Sequence, residues 1–225
     1  MWRKKLKKQP IGVEIFDKIA DKYDRISKNL SFGIISWWHR ELVKGLEKPG
    51  VVLDLACGTG EIAALISDRA DFVTGLDYSL PMLKVAKKKL PEIPLIRGDA
   101  LNLPFKENSF DTVLVSLGLR HFDNNDRALR EIKRVLKPGG TVRILEVSIP
   151  RNPLLKNLFT GFLKYVLLPL GKLRSKEDVS HHLFGTIMNF PHYEKFIEFA
   201  KERGFTSGTF KPLLFGMATI YELKG

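Results

Sequence analysis

The 225-residue sequence predicts an α/β fold: a mostly parallel seven-stranded sheet with helices on both faces, finished by an antiparallel C-terminal hairpin. Three observations carry this. Short apolar runs alternate with helical stretches through the middle of the chain, a glycine-rich turn joins the first run to its helix, and the last two runs have no helix between them. Alternation of strand and helix implies βαβ units in a parallel sheet. Two strands joined without a crossover pair antiparallel.

The elements follow in order. Ile11, Ile15, Ile19, Tyr23 and Ile26 recur at helical spacing and predict an amphipathic helix over 11–27; a second covers 35–47 and stops at Pro49 and Gly50. Together they make an N-terminal helical cap, residues 1–48. Buried strands are predicted at 51–56, 72–77, 94–99, 111–117 and 141–147, with helices near 60–69, 79–90 and 124–136 between them. Residues 148–190 interrupt the alternation and read as a lid or insertion before a helix at 191–203 and the final hairpin. The whole chain, 1–225, reads as a single domain.

Composition narrows the function classes. Lys and Arg exceed Asp and Glu by 12, which favours anionic partners such as a phosphate-bearing substrate, an acidic membrane surface or nucleic acid. A single cysteine, Cys57, rules out an internal disulfide framework or a multi-cysteine metal site and fits a reducing, cytoplasmic compartment. No metal is expected. The basic N-terminus MWRKKLKK is followed by acids where the apolar part of a signal peptide should be, and no segment has 18 uninterrupted apolar residues.

The sharpest local signal is LDLACGTGE at 53–61, on a strand-to-helix junction. Gly58 and Gly60 permit a tight turn and keep Cβ atoms away from a ligand resting on the backbone, and the N–H groups of the following helix suit a carboxylate or a phosphate. The pattern Gly58-x-Gly60-x-x-Ala63, with Asp77 placed for a ribose hydroxyl, also satisfies a relaxed dinucleotide fingerprint. Three features favour a different cofactor. Asp54, four residues before Gly58, suits a cationic amino-acid moiety and is poorly placed beside a pyrophosphate. Asp99 and Ala100, after the third strand, offer an acceptor and an N–H to an adenine edge. The sequence LKPGG (136–140) precedes the fifth strand. In this order the four resemble the class I S-adenosylmethionine-dependent methyltransferases, which have a Rossmann-like fold. The cofactor implied is S-adenosyl-L-methionine, with Asp54, Ala56, Gly58, Thr59, Gly60, Asp77, Tyr78, Asp99, Ala100 and Ser116 as its candidate contacts.

Four stretches are similar to the ubiquinone/menaquinone biosynthesis C-methyltransferase family. They are IFDKIADKYDRISKNLSFGIISWWHR (15–40), LDLACGTGE, the segment 101–140 with its GLR signature, and 177–191. The resemblance implies a prenylated naphtho- or benzohydroquinone as methyl acceptor, and it places Arg120 beside the substrate. Departures are His121 and Ser27, where the family has Asn, and Ser180 and His182 in place of a tyrosine pair. Tyr23 and His182 are candidate substrate contacts.

Attack by a ring carbon on a methyl group needs electron density released by an adjacent phenolic hydroxyl. His121, with an ordinary pKa of about 6.5, suits the proton acceptor, and the Arg120 guanidinium suits the developing oxyanion. Between Glu146 and Glu177 no acid occurs, while Arg151, Lys156, Lys164, Lys172, Arg174 and Lys176 do. Leu155, Leu158, Phe159, Phe162, Leu163, Val166 and Leu167 repeat at helical spacing there, ahead of Pro169. Segment 151–176 therefore predicts a peripheral contact with the inner membrane face, or an apolar side packed on the sheet or on a homodimer partner. Alternatives are methyl transfer to another small molecule or to RNA; no RNA-binding appendage is present in the sequence, so nucleic acid is the weaker reading.

Overall fold

The computed structural model describes residues 11–31, 33–167 and 179–225. Its centre is one seven-stranded sheet in the order β3-β2-β1-β4-β5-β7-β6. The strands are β1 (Val51–Leu55), β2 (Phe72–Asp77), β3 (Leu95–Arg97), β4 (Phe110–Ser116), β5 (Leu136–Val147), β6 (Ser207–Leu213) and β7 (Ala218–Lys224). The first five run parallel; β7 is antiparallel to both β5 and β6. The predicted mostly parallel sheet with its antiparallel hairpin is the one observed.

Helices α1 (Ile11–Ile19), α2 (Tyr23–Leu30), α3 (Ile34–Val43), α4 (Glu61–Ile66), α5 (Leu80–Lys89), α6 (Asn125–Val135), α7 (Pro153–Phe162), α8 (Val179–Asn189) and α9 (Glu194–Lys201) surround it. On one face Leu129, Ile132, Phe196 and Ala200 from α6 and α9 pack against Leu53, Val113 and Ile144 of the strands. On the other, Trp38, Leu42, Ile62 and Ile66 from α3 and α4 cover Val52, Leu114 and Leu145. Central strands buried on both faces explain the unbroken apolar runs.

Two elements differ from expectation. The helix predicted over 11–27 breaks at a 3₁₀ turn, Ala20–Lys22, which lets the Phe16 and Tyr23 rings meet edge to face at 6.0 Å. LKPGG is not a turn outside the strand. β5 starts at Leu136, pairs it with Phe110, and bulges so that the next pair is Thr112 with Thr141. Gly139 takes φ 73°, which a side chain disfavours.

In the predicted insertion, α7 buries no residue. Leu154 and Leu158 are 68% and 61% exposed, and Phe162 and Tyr165 are exposed beside them. Of the expected apolar face, Leu158 and Phe162 point to solvent, Leu163 is buried, and Leu155 and Phe159 are half-buried. Pro169, Lys172, Arg174 and Lys176 lie outside the described residues, as do the side chains of Val166, Leu167, Ser180, His181 and His182. No helix among the described residues is long and apolar enough to cross a membrane.

Candidate active site

The sheet order reverses between β1 and β4, the place where an open α/β sheet leaves a crevice beyond its strand ends. Both strands are turned sharply there. Ala56, after β1, has φ 57°, and Leu117, after β4, has φ 55°. Left-handed backbone at non-glycine residues is strained and clusters at functional sites. A side chain at Gly118 would meet the Ala56 Cβ at 2.7 Å, so the two turns touch.

This crevice opens into a cavity of about 730 Å³, within the size range of ligand pockets. Asp54, Ala56, Gly58, Thr59, Asp77, Tyr78, Asp99, Ala100 and Ser116 of the predicted set all line it, and so do Tyr23 and His121. Gly60 stands just behind, where a Cβ would lie 2.7 Å from Leu90 Cδ1 at φ 84°. A Cβ on Gly58 would meet nothing within 4 Å, so that stretch of backbone is bare toward the cavity. Two carboxylates shape the loop. Asp77 accepts from Gly58 N at 2.7 Å and from Ser79 N at 2.8 Å; Asp54 accepts from Ala63 N in α4 at 2.9 Å.

Both acids are pushed upward from the usual carboxylate range, mainly by burial. Asp54 reaches about 7, opposed by the Ala63 N–H and reinforced by the nearby Asp77. Asp77 is raised as well, against the opposing backbone N–H groups of Ser79, Gly58 and Tyr78 that donate to it. A buried acid and a half-buried one, with no cation paired to either among the described residues, suit a ligand carrying a cation and hydroxyl donors. Ser116 Oγ is buried with no hydrogen-bond partner among the described residues, and Asp99 accepts from Leu101 N at 2.9 Å at the far end. These groups fit an amino acid joined to a nucleoside.

The N-terminal helices close over this loop by contacts that sequence reasoning missed. Thr59 Oγ1 donates to Asp24 at 2.5 Å, Lys89 pairs with the same carboxylate, and Ser79 Oγ donates to Asp17. Phe16 stands edge-on to His121 at 5.4 Å. The sequence hint was the run of acids Glu14, Asp17, Asp21 and Asp24, interleaved with basic residues on an amphipathic segment. Tyr23 has its hydroxyl pushed up by burial, against the pull of the Arg120 charge. The Cys57 thiol is buried and likewise pushed up; it packs behind the loop against β2, where a Cβ on Gly75 would stand 2.9 Å from Sγ.

Arg120 departs from expectation and corrects the reading that it faces the crevice. It does not line the large cavity. The 3₁₀ turn Leu119–His121 directs it into a second cavity of about 330 Å³, while Gly118 and His121 face the first. Glu146, fully buried at the end of β5, accepts from the Arg120 backbone N at 3.2 Å and from its guanidinium. The His182 side chain lies outside the described residues. No cluster of three or more metal-ligating side chains is found among the described residues.

The model of the ubiE/COQ5 methyltransferase family matches residues 3–223. The chain belongs to this family. Among curated relatives, demethylmenaquinone methyltransferase of Paenarthrobacter aurescens is 39% identical, covering 100% of this chain and 90% of its own length. That of Thermotoga maritima is 38% identical, covering 93% of this chain and 94% of its own. Among solved structures, a SAM-dependent methyltransferase of Thermotoga maritima superposes with a TM-score of 0.67 at 20% identity, covering 94% of this chain and 98% of its own. One from Aquifex aeolicus gives 0.63 at 14%, covering 92% and 97%. At that identity they share the fold. The protein is a methyltransferase with the class I arrangement that its sequence resembles.

Proposed function

We propose that this enzyme methylates a ring carbon of a prenylated naphthohydroquinone, a demethylmenaquinol, using S-adenosyl-L-methionine held in the β1/β4 crevice. The observation that carries the acceptor is the match, over nearly the full chain, to relatives named for demethylmenaquinone. The cofactor reading is supported by the bare turn at Gly58, the acids Asp54 and Asp77, and the Ser116 hydroxyl, which has no partner among the described residues, all on one cavity.

S-adenosylmethionine supplies an electrophilic methyl group on a sulfonium. The chain contributes alignment, exclusion of water and handling of one proton. Asp54 meets the cationic amino acid, Asp77 the ribose, and Asp99 with Ala100 the adenine, with Thr59, Tyr78 and Ser116 beside them. Phe16, Tyr23, Leu117 and Phe122 line the same cavity and shed water from the reacting centre. His121 takes the phenolic proton, so that charge flows to the ring carbon; once that carbon is methylated it loses its hydrogen as a proton and the phenol re-forms, one proton being released overall. Arg120, held by Glu146, stabilises the far side of the ring from the second cavity.

We read residues 1–225 as a single catalytic domain on the cytoplasmic side. The exposed Leu154, Leu158, Phe162 and Tyr165, with Arg151, Lys156 and Lys164 nearby, form a basic apolar surface suited to an anionic bilayer from which a prenyl tail is drawn. Sedimentation with anionic vesicles at low and high salt tests this; indifference to lipid leaves a second copy of the chain as the partner for that face. His121 and Ser27, where the family has Asn, favour a variant ring as the alternative acceptor. The deciding assay incubates the enzyme with methyl-labelled S-adenosylmethionine and a panel of reduced naphtho- and benzoquinones. Label on a carbon of the demethylated naphthohydroquinone is expected; label on oxygen, or on none of them, rejects the proposal.

A further inference from the structure

The turn between β6 and β7 carries a large apolar side chain on backbone that disfavours one. Leu214, Phe215 and Gly216 take φ values of 44°, 57° and 90° in succession. Only the glycine suits that region; the other two are strained there. Leu214 packs inward against the core cluster that holds Leu213 and Ala218. Phe215 points outward and is 77% exposed. Strained backbone that holds a phenyl ring in water points to a role outside the fold.

The place of the turn is fixed. Ala218, the first residue of β7, pairs with Val147, the last of β5, so the turn lies at the carboxyl ends of the parallel strands, where the crevice opens. Gly216 O accepts from Ser148 Oγ at 2.8 Å and from Tyr193 Oη at 3.1 Å, and Met217 O accepts from Ser148 N at 3.0 Å. A Cβ on Gly216 would lie 3.4 Å from Pro150 Cα. The turn is thus fastened to segment 148–150, which leads directly into α7. Beyond α7, residues Leu163–Leu167 pack on α8, and α8 packs on α1 and on the turn Leu119–His121 beside the large cavity. The hairpin tip and α7 therefore both stand at the crevice end of the sheet.

Charge decides what this rim meets. Arg151 is paired with Glu194 and Lys211 with Glu41, but Lys156 and Lys164 are exposed on α7 and its extension and make no ion pair among the described residues. No acid occurs between Glu146 and Glu177 to answer them. A second copy docked on the same face would bring lysine against lysine, because a two-fold interface pairs a surface with itself. An anionic bilayer accepts both the lysines and the ring.

We propose that the β6–β7 turn is a bilayer-insertion element, with Phe215 entering the acyl boundary of an anionic membrane beside α7. The proposal deepens, and rests on, the membrane reading of α7 given above. A single helix lying on a membrane leaves the molecule free to roll about the helix axis. A second anchor off that axis removes the freedom and holds the crevice end of the sheet at the lipid, so a lipophilic acceptor enters without crossing water.

The test is co-sedimentation of the full chain with phosphatidylcholine vesicles containing or lacking phosphatidylglycerol, at low and high salt. The wild type should bind the anionic vesicles at low salt and lose affinity at high salt. Phe215→Asn removes the ring and suits left-handed backbone. It should weaken binding by about tenfold while raising the melting temperature and leaving S-adenosylhomocysteine affinity unchanged, a combination that misfolding does not produce. Phe215→Trp should retain binding, and lipids brominated on their acyl chains should quench its added fluorescence. Vesicle binding by Phe215→Asn equal to that of the wild type overturns the proposal and leaves the α7 reading standing. If neither protein binds vesicles, the α7 reading fails and takes this one with it, while the acceptor panel still judges the hydroquinone reading. A wild-type dimer in sedimentation velocity that Phe215→Asn dissociates assigns the ring to a second copy and likewise overturns the proposal.

Discussion

Replacing Arg120 separates its structural from its chemical role. Glu146 is fully buried, and Arg120 is the only cation paired with it among the described residues. Arg120→Met therefore strands a carboxylate in the interior, a change that costs about 3–5 kcal/mol. At about 2–4 °C per kcal/mol for a chain of this size, the melting temperature should fall by about 6–20 °C at pH 7. Because Arg120 does not line the large cavity, affinity for S-adenosylhomocysteine should stay within about threefold of wild type, while turnover falls by about a hundredfold. Adding Glu146→Gln should recover part of the lost stability, a coupling of about 1–3 kcal/mol. Urea denaturation of the two single variants and the double variant measures this. A loss under about 1 kcal/mol, or strictly additive losses, would refute the buried-pair reasoning.

Three further outcomes are expected. Asp54→Asn should stabilise the ligand-free protein at pH 8, where the wild-type carboxylate is ionised against its burial, and the gain should shrink as pH falls below about 7 and vanish only below the unfolded value of about 3.9; the same variant should weaken S-adenosylhomocysteine binding at pH 8 by about tenfold or more, read by calorimetry. Gly58→Ala costs only the left-handed strain of about 1–2 kcal/mol and should lose ligand affinity, whereas Gly60→Ala also drives a Cβ into Leu90 and should lose more stability, so melting curves and titrations should rank the two oppositely. Asp24→Ala removes the partner of Thr59 and Lys89, and hydrogen exchange should quicken at amides 23–31 while the β1 and β4 amides stay protected.

What the sequence made legible was whatever a local pattern encodes. β2 was predicted at its observed limits because it is an apolar run ended by the acid of its own turn, and the β1–α4 junction followed from two glycines at the only spacing that fits. The hairpin of β6 and β7 followed from a missing helix. Features decided by distant partners were not legible. The direction of Arg120 is set by Glu146, 26 positions later near the end of β5, and no periodicity records that. The cap contacts join Asp17 to Ser79 and Asp24 to Thr59 across long separations, and the break in the first helix serves ring packing, not propensity. LKPGG looked like a turn because its glycines permit one; the sheet absorbs it as a bulge.

The central claim is that the crevice between β1 and β4 receives the methyl donor. A crystal structure of the protein grown with S-adenosylhomocysteine tests it most directly. Its amino-acid end should lie beside Asp54, its ribose against Asp77 and its adenine against Asp99 and Ala100, with the sulfur turned toward His121. Density for the nucleoside anywhere else, or an empty crevice at saturating concentration, would contradict the account.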